Sequence, residues 1–220
     1  VTVRALKMHG GVPRDALQAE NLPALEAGLE NLGRHVRNCA QYGVPLTVAI
    51  NKFAGDSEAE IAVITDYAQQ RGLQAHVCSH HTDGGAGAIG LATQVAALVD
   101  SGHSQFHTLY EDDMSLWDKA RTVARSVYGA DDLDADQIVR DQFSRYEEQG
   151  YGHFPVCMAK TQYSFSTDPS LMGAPSNHRV RVRELALAAG AEFLVVICGD
   201  ILRMPGLPRT PAANNISVNA

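Results

Sequence analysis

The alternation of apolar strand-like runs with helical segments in the first hundred residues most constrains the fold of this chain. Val44 to Ile50 is a nearly continuous apolar run, which is typical of a strand buried on both faces of a parallel sheet. Thr2 to Lys7 and Gln74 to Ser79 have the composition of two further strands. A helix-like segment follows each run, so the order predicts an α/β unit with a parallel sheet and right-handed crossovers.

Capping signals mark the starts of the helices in this part. Asn21 precedes leucines at helical spacing, and Ser57 with Glu60 forms a capping box. A further helix is expected from about Ala86 to Val99, after a glycine-rich loop.

After about Ser101 the rhythm changes to helices followed by strands. Ser115 and Asp118 predict one helix start, and a second helix is expected from about Asp136 to Gln149. Apolar or alternating segments then predict strands at Pro155 to Met158, Val180 to Leu187 and Ala191 to Cys198. The chain therefore divides into an α/β domain at residues 1–103 and an α+β domain at residues 104–220.

Ligands of open parallel sheets gather beyond the carboxyl ends of the strands. Three segments are predicted to lie there and to converge on one crevice: His9 to Val12, Asn51 to Asp56 and His80 to Gly87.

Charge and composition exclude several classes of partner and location. A formal net charge of -7 argues against a broad nucleic-acid surface, which needs clustered Lys and Arg. No apolar run approaches the roughly 20 residues of a membrane-spanning helix. The four cysteines are widely spaced and nothing at the start resembles a signal peptide, which favours a reducing cytoplasm.

The segment HHTDGGAGAIG contains G-x-G-x-x-G at Gly85, Gly87 and Gly90. In a dinucleotide-binding fold this pattern follows the first strand directly, whereas here His80 to Gly84 intervene, so we do not interpret it as that fingerprint. The alternating His76, Cys78 and His80 present a possible zinc site, for which an ordinary buried strand is the simpler interpretation.

Four stretches together resemble one family: VTVRALKMHGG, VAINKF, PVCMAKTQYSFS and GDILRMPGLPRTPAA. In this order they are similar to formate–tetrahydrofolate ligases. The resemblance implies activation of formate by ATP as formyl phosphate, then capture by N10 of tetrahydrofolate, giving 10-formyltetrahydrofolate, ADP and phosphate. It also implies Mg²⁺, a monovalent cation and a homo-oligomer.

The family carries a P-loop upstream of the first stretch, and no G-x-x-x-x-G-K-[ST] occurs in these 220 residues. We therefore expect a C-terminal portion, or a truncated product, that holds part of a P-loop-like nucleotide-binding domain. Two alternatives stay open: an inactive remnant that serves as a folate, nucleotide or assembly module, and a subunit completed by a separate N-terminal chain.

The resemblance also assigns a ring-binding wall. Phe53 matches a phenylalanine that faces a tryptophan across an aromatic ring, and His81 stands at the tryptophan position. Since imidazole has a smaller π face than indole, we expect weaker folate binding. The implied contact residues are Asn51, Lys52, Phe53, Asp56, His81, Gly84, Gly85, Met204, Pro205, Gly206, Leu207 and Pro208.

Ordinary structural roles remain open for these positions. Asn51 and Lys52 are also suited to a turn after a strand, Phe53 to a core, and Asp56 to the start of a helix. Met204 to Pro208 has the chemistry of a surface turn. Lys160 to Ser164 can present a cation and hydroxyls to an anion or pin a loop against its neighbour.

Overall fold

A computed structural model describes residues 1–199, 210, 211 and 214 of the chain. Its helices are α1 (Val3–His9), α2 (Leu22–Ala40), α3 (Glu58–Gln69), α4 (His80–Asp83), α5 (Ile89–Asp100), α6 (Leu116–Ser126) and α7 (Gln137–Tyr146). Its strands are β1 (Val48–Asn51), β2 (Ala75–Cys78), β3 (Asp132–Ala135), β4 (Val156–Ala159), β5 (Arg179–Val182), β6 (Glu184–Ala188) and β7 (Phe193–Ile197). The architecture is mixed α/β with small, mainly parallel sheets.

The first predicted strand is wrong, because Thr2 to Lys7 leads into helix α1. The Thr2 hydroxyl accepts a hydrogen bond from the Ala5 backbone at 3.1 Å, as an N-cap does. Val3, Leu6 and Lys7 are buried at helical spacing. The β-branched residues at the start of the chain suggested a strand, but the cap and the spacing of the buried side chains favour a helix.

Strands β1 and β2 pair in parallel, as predicted, with Asn51 opposite Cys78. Val1 lies on the other edge of β1: its backbone nitrogen donates to Ala49 O at 2.7 Å, and Asn51 N donates to Val1 O at 2.9 Å. Val48 N and Lys52 N face the β2 edge instead. Extended backbone at the start of the chain therefore pairs with β1 at Val1, directly before α1.

The predicted helix starts of the first part are confirmed. Asn21 Oδ1 accepts from Ala24 N at 3.0 Å and caps α2. Ser57 and Glu60 form the reciprocal capping box of α3. These helices pack on β1 through a buried cluster that includes Leu25, Ile50 and Ile64.

The second part contains two sheets that include parallel pairs. β3 pairs with β5, and β7 pairs with β4 in parallel and with β6 in antiparallel orientation. Strand β3 was not predicted, because the segment Asp132 to Ala135 carries two acidic residues and lacks an apolar run. A second buried cluster, including Leu133, Phe143 and Val196, packs α6 and α7 on these strands.

One face of α2 attaches to the end of α6 through polar side chains. Arg34 donates to Tyr128 O at 2.8 Å, Asn38 to Val127 O at 2.8 Å and Gln41 to Ser126 O at 3.1 Å. These three carbonyls belong to the last residue of α6 and the two residues after it, where the helix supplies no N–H partner, so the side chains of α2 satisfy them. The two buried clusters are thus joined by a polar seam.

Helix α5 exposes apolar side chains and buries none of its residues. Ile89, Val95 and Val99 are 62%, 45% and 73% exposed, and none of the residues of this helix is buried. Within the described residues, the helices are too short or too polar to cross a membrane.

Candidate functional site

The end of β1 carries a half-buried polar side chain with an unused acceptor. Asn51 stands in register with Cys78, and the next residue, Lys52, donates its backbone N–H to Cys78 O at 3.0 Å. The Asn51 Oδ1 atom is buried and has no hydrogen-bond partner. A buried acceptor without a partner costs about 1–3 kcal/mol, so such a group is often kept for a ligand or a water.

Phe53 follows directly and is covered on one side by a cation. The Arg4 guanidinium carbon lies 3.9 Å from the centroid of the Phe53 ring. Arg4 belongs to the first turn of α1, so the start of this helix meets the end of β1. The cation fixes the ring by a cation–π contact, and the Phe53 side chain is half-buried.

Asp56 shapes the turn after β1. Its Oδ2 accepts from Phe53 N at 2.8 Å, and its own backbone N–H donates to Phe53 O at 3.0 Å. The carboxyl group is buried in these contacts. Asp56 therefore holds Phe53 in position from within the turn.

Lys52 points toward the next helix. Its Nζ lies 2.5 Å from Glu58 Oε1, and the two side chains are 32% and 83% exposed. Pairs of this exposure contribute little to stability. The ammonium lies near the end of the strand, and its carboxylate partner is held only at the surface.

The glycine-rich loop folds back on the end of β2. Ser79 N donates to Gly87 O at 3.0 Å, and a Cβ at Gly87 would lie 2.6 Å from Ser79 C. Gly84 has φ 59° and ψ −144°, a conformation that favours glycine. His81 lies on α4 just before these glycines and is exposed. The loop is thus a compact turn at the same sheet edge as Asn51 and Phe53.

The zinc interpretation of His76, Cys78 and His80 gains no support. Across the described residues, no group of three His, Cys, Asp or Glu side chains is arranged to hold a metal ion. Cys78 is buried in the strand, whereas His80 has turned into α4 and is exposed.

The expectation that His9 to Val12 joins this edge is wrong. His9 ends α1, about five helical residues or roughly 7 Å beyond Arg4. Its Nδ1 accepts the Gly173 backbone N–H at 3.2 Å, in the second part of the chain. This error follows from the wrongly predicted strand. A strand over Thr2 to Lys7 would have placed His9 at the carboxyl edge of the sheet, where helix α1 begins instead.

Sequence reasoning also missed Arg4, whose role depends on that helix. The available signal was Thr2, a capping residue before buried side chains at helical spacing. Met204, Pro205, Gly206, Leu207 and Pro208, the expected closing segment, lie outside the described residues.

Comparison with known proteins gives a consistent result over the whole chain. The family model described as formate–tetrahydrofolate ligase matches residues 1–220. A formate–tetrahydrofolate ligase of Sinorhizobium fredii (strain NBRC 101917 / NGR234) is 56% identical over 218 residues, which is 99% of this chain and 39% of the relative. Proteins of the same name from Granulibacter bethesdensis (strain ATCC BAA-1260 / CGDNIH1) and Maricaulis maris (strain MCS10) are 53% and 55% identical over 98% and 100% of this chain. The chain spans 38% and 39% of those two relatives.

Proposed function

Because the chain belongs to the formate–tetrahydrofolate ligase family, we propose that it supplies the ring-binding wall of such an enzyme. The parent reaction joins formate to tetrahydrofolate at the expense of ATP, through formyl phosphate. In this proposal residues 1–103 form part of a P-loop-like nucleotide-binding domain, and residues 104–220 form a separate α+β domain. The separate buried clusters on either side of residue 103 support this division.

The unpaired Asn51 Oδ1 carries the proposal. Adenine and pterin both present an amino group on a flat ring, and an amide oxygen accepts such an N–H. The adjacent Phe53 offers a ring whose orientation is set by Arg4 and Asp56. An edge acceptor beside a fixed aromatic face is suited to a flat heterocycle with an exocyclic amine.

His81, Gly84 and Gly85 are proposed as the opposite wall. They follow β2, the neighbour of β1, so they start from the same sheet edge. An imidazole stacks less strongly than an indole, so the proposed tetrahydrofolate affinity is lower than with tryptophan at position 81. The Met204 to Pro208 segment and Lys52 complete the proposed contacts.

The proposed ring-binding wall does not include the site of the ATP phosphates and the metal. The described residues contain no group of three carboxylate, imidazole or thiolate side chains for a metal. The side chains at the edge suit a ring and not a Mg²⁺–triphosphate. In this proposal Mg²⁺, the monovalent cation and the transfer step belong with the P-loop part that the family resemblance implies, in the same protein or in a partner chain.

The proposal is tested by calorimetric titration of the chain with tetrahydrofolate and, separately, with adenosine. Asn51→Leu should weaken binding of the ring that Asn51 contacts by about tenfold, which corresponds to roughly 1.4 kcal/mol. Gln69→Leu removes an exposed amide at the end of α3 and should leave binding unchanged. Equal affinities for the unmodified chain and Asn51→Leu, or no binding of either ring, would contradict the proposal.

An activity assay tests whether this chain needs another part of the enzyme for the phosphate chemistry. The chain alone should not form 10-formyltetrahydrofolate from formate, ATP and tetrahydrofolate. Robust turnover by the 220-residue chain would show that phosphate handling resides within it.

The exposed apolar residues of α5 favour a second candidate function, an assembly module. Ile89 and Val99 are more than half exposed, and such a surface is commonly covered by another chain. In this role the chain associates with copies of itself, as the family resemblance implies, or with a separate N-terminal chain.

A further inference from the structure

A cavity of about 170 Å³ lies apart from the end of β1, where the two parts of the chain meet. His9 comes from the end of α1, and Asn31 and His35 come from α2. The loop after β4 contributes Lys160, Thr161, Gln162, Ser164 and Phe165. Tyr128 closes the remaining side. None of the lining residues is acidic.

Lys160 has an incomplete set of partners in this cavity. Its Nζ donates to Thr161 O at 3.1 Å and to Ser164 O, and lies 4.6 Å from the centroid of the Tyr128 ring. An ammonium group has three hydrogens, so one remains beyond these two carbonyls. Within residues 1–199, no carboxylate forms an ion pair with it.

The other three lysines of the chain are bound differently. Lys7 pairs with Glu60, Lys52 pairs with Glu58, and the Lys119 ammonium donates to three backbone carbonyls. Pinning of the loop accounts for two of the Lys160 hydrogens and leaves its charge without a carboxylate partner among the described residues.

Two histidines add donors to the same cavity. Because His9 Nδ1 accepts from Gly173 N, the neutral ring carries its hydrogen on Nε2. The His35 ring packs on Phe165 with centroids 4.8 Å apart. Burial lowers the pKa of His9, and the charge of His35 lowers it further; burial and the Lys160 ammonium lower the pKa of His35. The basic groups therefore repel one another.

From this cavity we infer a binding site for a small oxyanion, of the phosphate or carboxylate class. The ammonium of Lys160 and the imidazole N–H groups of His9 and His35 supply the donors, whereas the Asn31 amide already donates to Gly173 O at 3.0 Å. An oxyanion supplies only acceptors. A bound anion would also relieve the repulsion between His9, His35 and Lys160. The site does not depend on the proposed ring-binding role of Asn51 and Phe53.

Proton NMR of the histidine Hε1 signals tests this site with inorganic phosphate as the probe and sodium acetate as the second arm. His9→Gln and His35→Gln assign the two signals. We expect saturable shifts of both signals and a rise of both histidine pKa values on binding. The ionisable groups around the cavity include His9, Arg34, His35, Tyr128, Lys160, His178 and Cys198.

Lys160→Met should lower the phosphate affinity at least about tenfold, whereas Arg125→Gln, which removes an exposed charge from α6, should leave it unchanged. If Lys160→Met does not fold, His35→Phe retains the ring contact with Phe165 and removes the imidazole N–H donor. Tighter binding of phosphate identifies a phosphoryl group as the ligand, and tighter binding of acetate identifies a carboxylate. Absence of saturation by either probe up to about 50 mM, or equal shifts in the unmodified chain and the folded cavity variant, would overturn the inference.

Discussion

The Lys7 ammonium lies 2.8 Å from Glu60 Oε1, and both side chains are almost completely buried, at 1% and 0% exposure. The same carboxylate accepts the backbone N–H groups of Asn21 and Ser57, at 3.2 and 3.1 Å. Lys7 also donates to Ala19 O at 2.9 Å. One ion pair thus joins α1, the start of α2 and the start of α3.

Removal of one partner of this pair should be strongly destabilising. Lys7→Met leaves the Glu60 carboxylate buried without its cation, which costs about 3–5 kcal/mol of unfolding free energy. Urea denaturation followed by circular dichroism measures the loss. Lys52→Met, which breaks the exposed pair with Glu58, should change the stability by less than about 1 kcal/mol. Equal losses of unfolding free energy in the two variants would show that the buried Lys7–Glu60 pair contributes no more to stability than the exposed Lys52–Glu58 pair.

The same pair should make the fold sensitive to acid. Burial by itself would raise the pKa of Glu60, but the Lys7 hydrogen bond and the Ser57 and Asn21 N–H groups lower that pKa below its usual value of 4.5. A depressed pKa contributes stability that is complete above the unfolded value and is lost as the pH falls through the folded value. Unfolding free energies should therefore decline below about pH 4.5, and the decline should be smaller in Glu60→Gln. An identical decline in that variant would exclude Glu60 as a source.

Asp132 should titrate at unusually low pH. The Arg121 side chain donates to both carboxylate oxygens, at 2.6 and 3.2 Å, and the Leu133 backbone N–H adds a third bond. These contacts lower the pKa of Asp132 from 3.8 to about 2. Its contribution to stability is present above pH 3.8 and is lost as the pH falls toward 2.

Carbon NMR titration of the Asp132 carboxyl group measures this pKa directly. Arg121→Gln should return it most of the way to 3.8. Arg181→Gln, which removes the exposed partner of Asp136, is the matched control and should leave the Asp132 titration unchanged. An unshifted Asp132 in Arg121→Gln would mean that the ion pair does not determine the pKa.

Loss of the Arg4 guanidinium should weaken the binding of tetrahydrofolate, because Arg4 orients the Phe53 ring. Arg4→Gln removes the guanidinium 3.9 Å from the Phe53 centroid, so the ring loses about 0.5–1 kcal/mol of cation–π contact and some of its fixed orientation. We expect tetrahydrofolate affinity to fall about three- to fivefold in calorimetry. Arg71→Gln removes a guanidinium 3.5 Å from the Tyr67 ring on α3 and should leave the affinity unchanged. A fall of equal size in both variants would point to a general effect of lost charge.

The exposed face of α5 should cause association of the chain. Light scattering coupled to size-exclusion chromatography should detect species larger than the 23.7 kDa monomer at raised concentration. The double variant Ile89→Ser and Val99→Ser should reduce them, because burial of these side chains drives the contact. Ile138→Ser removes a side chain of 74% exposure from α7 and should leave the amount of larger species unchanged. A monomer at all concentrations would contradict this prediction.

Local chemistry was sufficient to predict several elements. Asn21, Ser57 and Ser115 act within three residues of themselves, so the starts of α2, α3 and α6 follow from the chain alone. The apolar run that ends at Asn51 likewise predicted β1 and its carboxyl end.

The short elements could not be assigned in this way. The segment Val1 to Lys7 mixes β-branched residues with helical spacing, so its sequence is compatible with a strand or a helix. Only its packing on β1 and α2 determines that Val1 pairs with β1 and that helix α1 follows. β3 carries two aspartates, and its place depends on β5, some 45 residues further along the chain. Such pairings are non-local, so no local pattern specifies them.

By itself the sequence determined the family, the capped helices and the strand that ends at Asn51, because each rests on neighbouring residues or on long motifs. Only the tertiary structure placed Arg4 against Phe53 and brought His9, His35 and Lys160 around one cavity. The physical reason is that helix α1 directs its two ends to different neighbours. Contacts between side chains distant in sequence arise from packing, which the order of residues does not display.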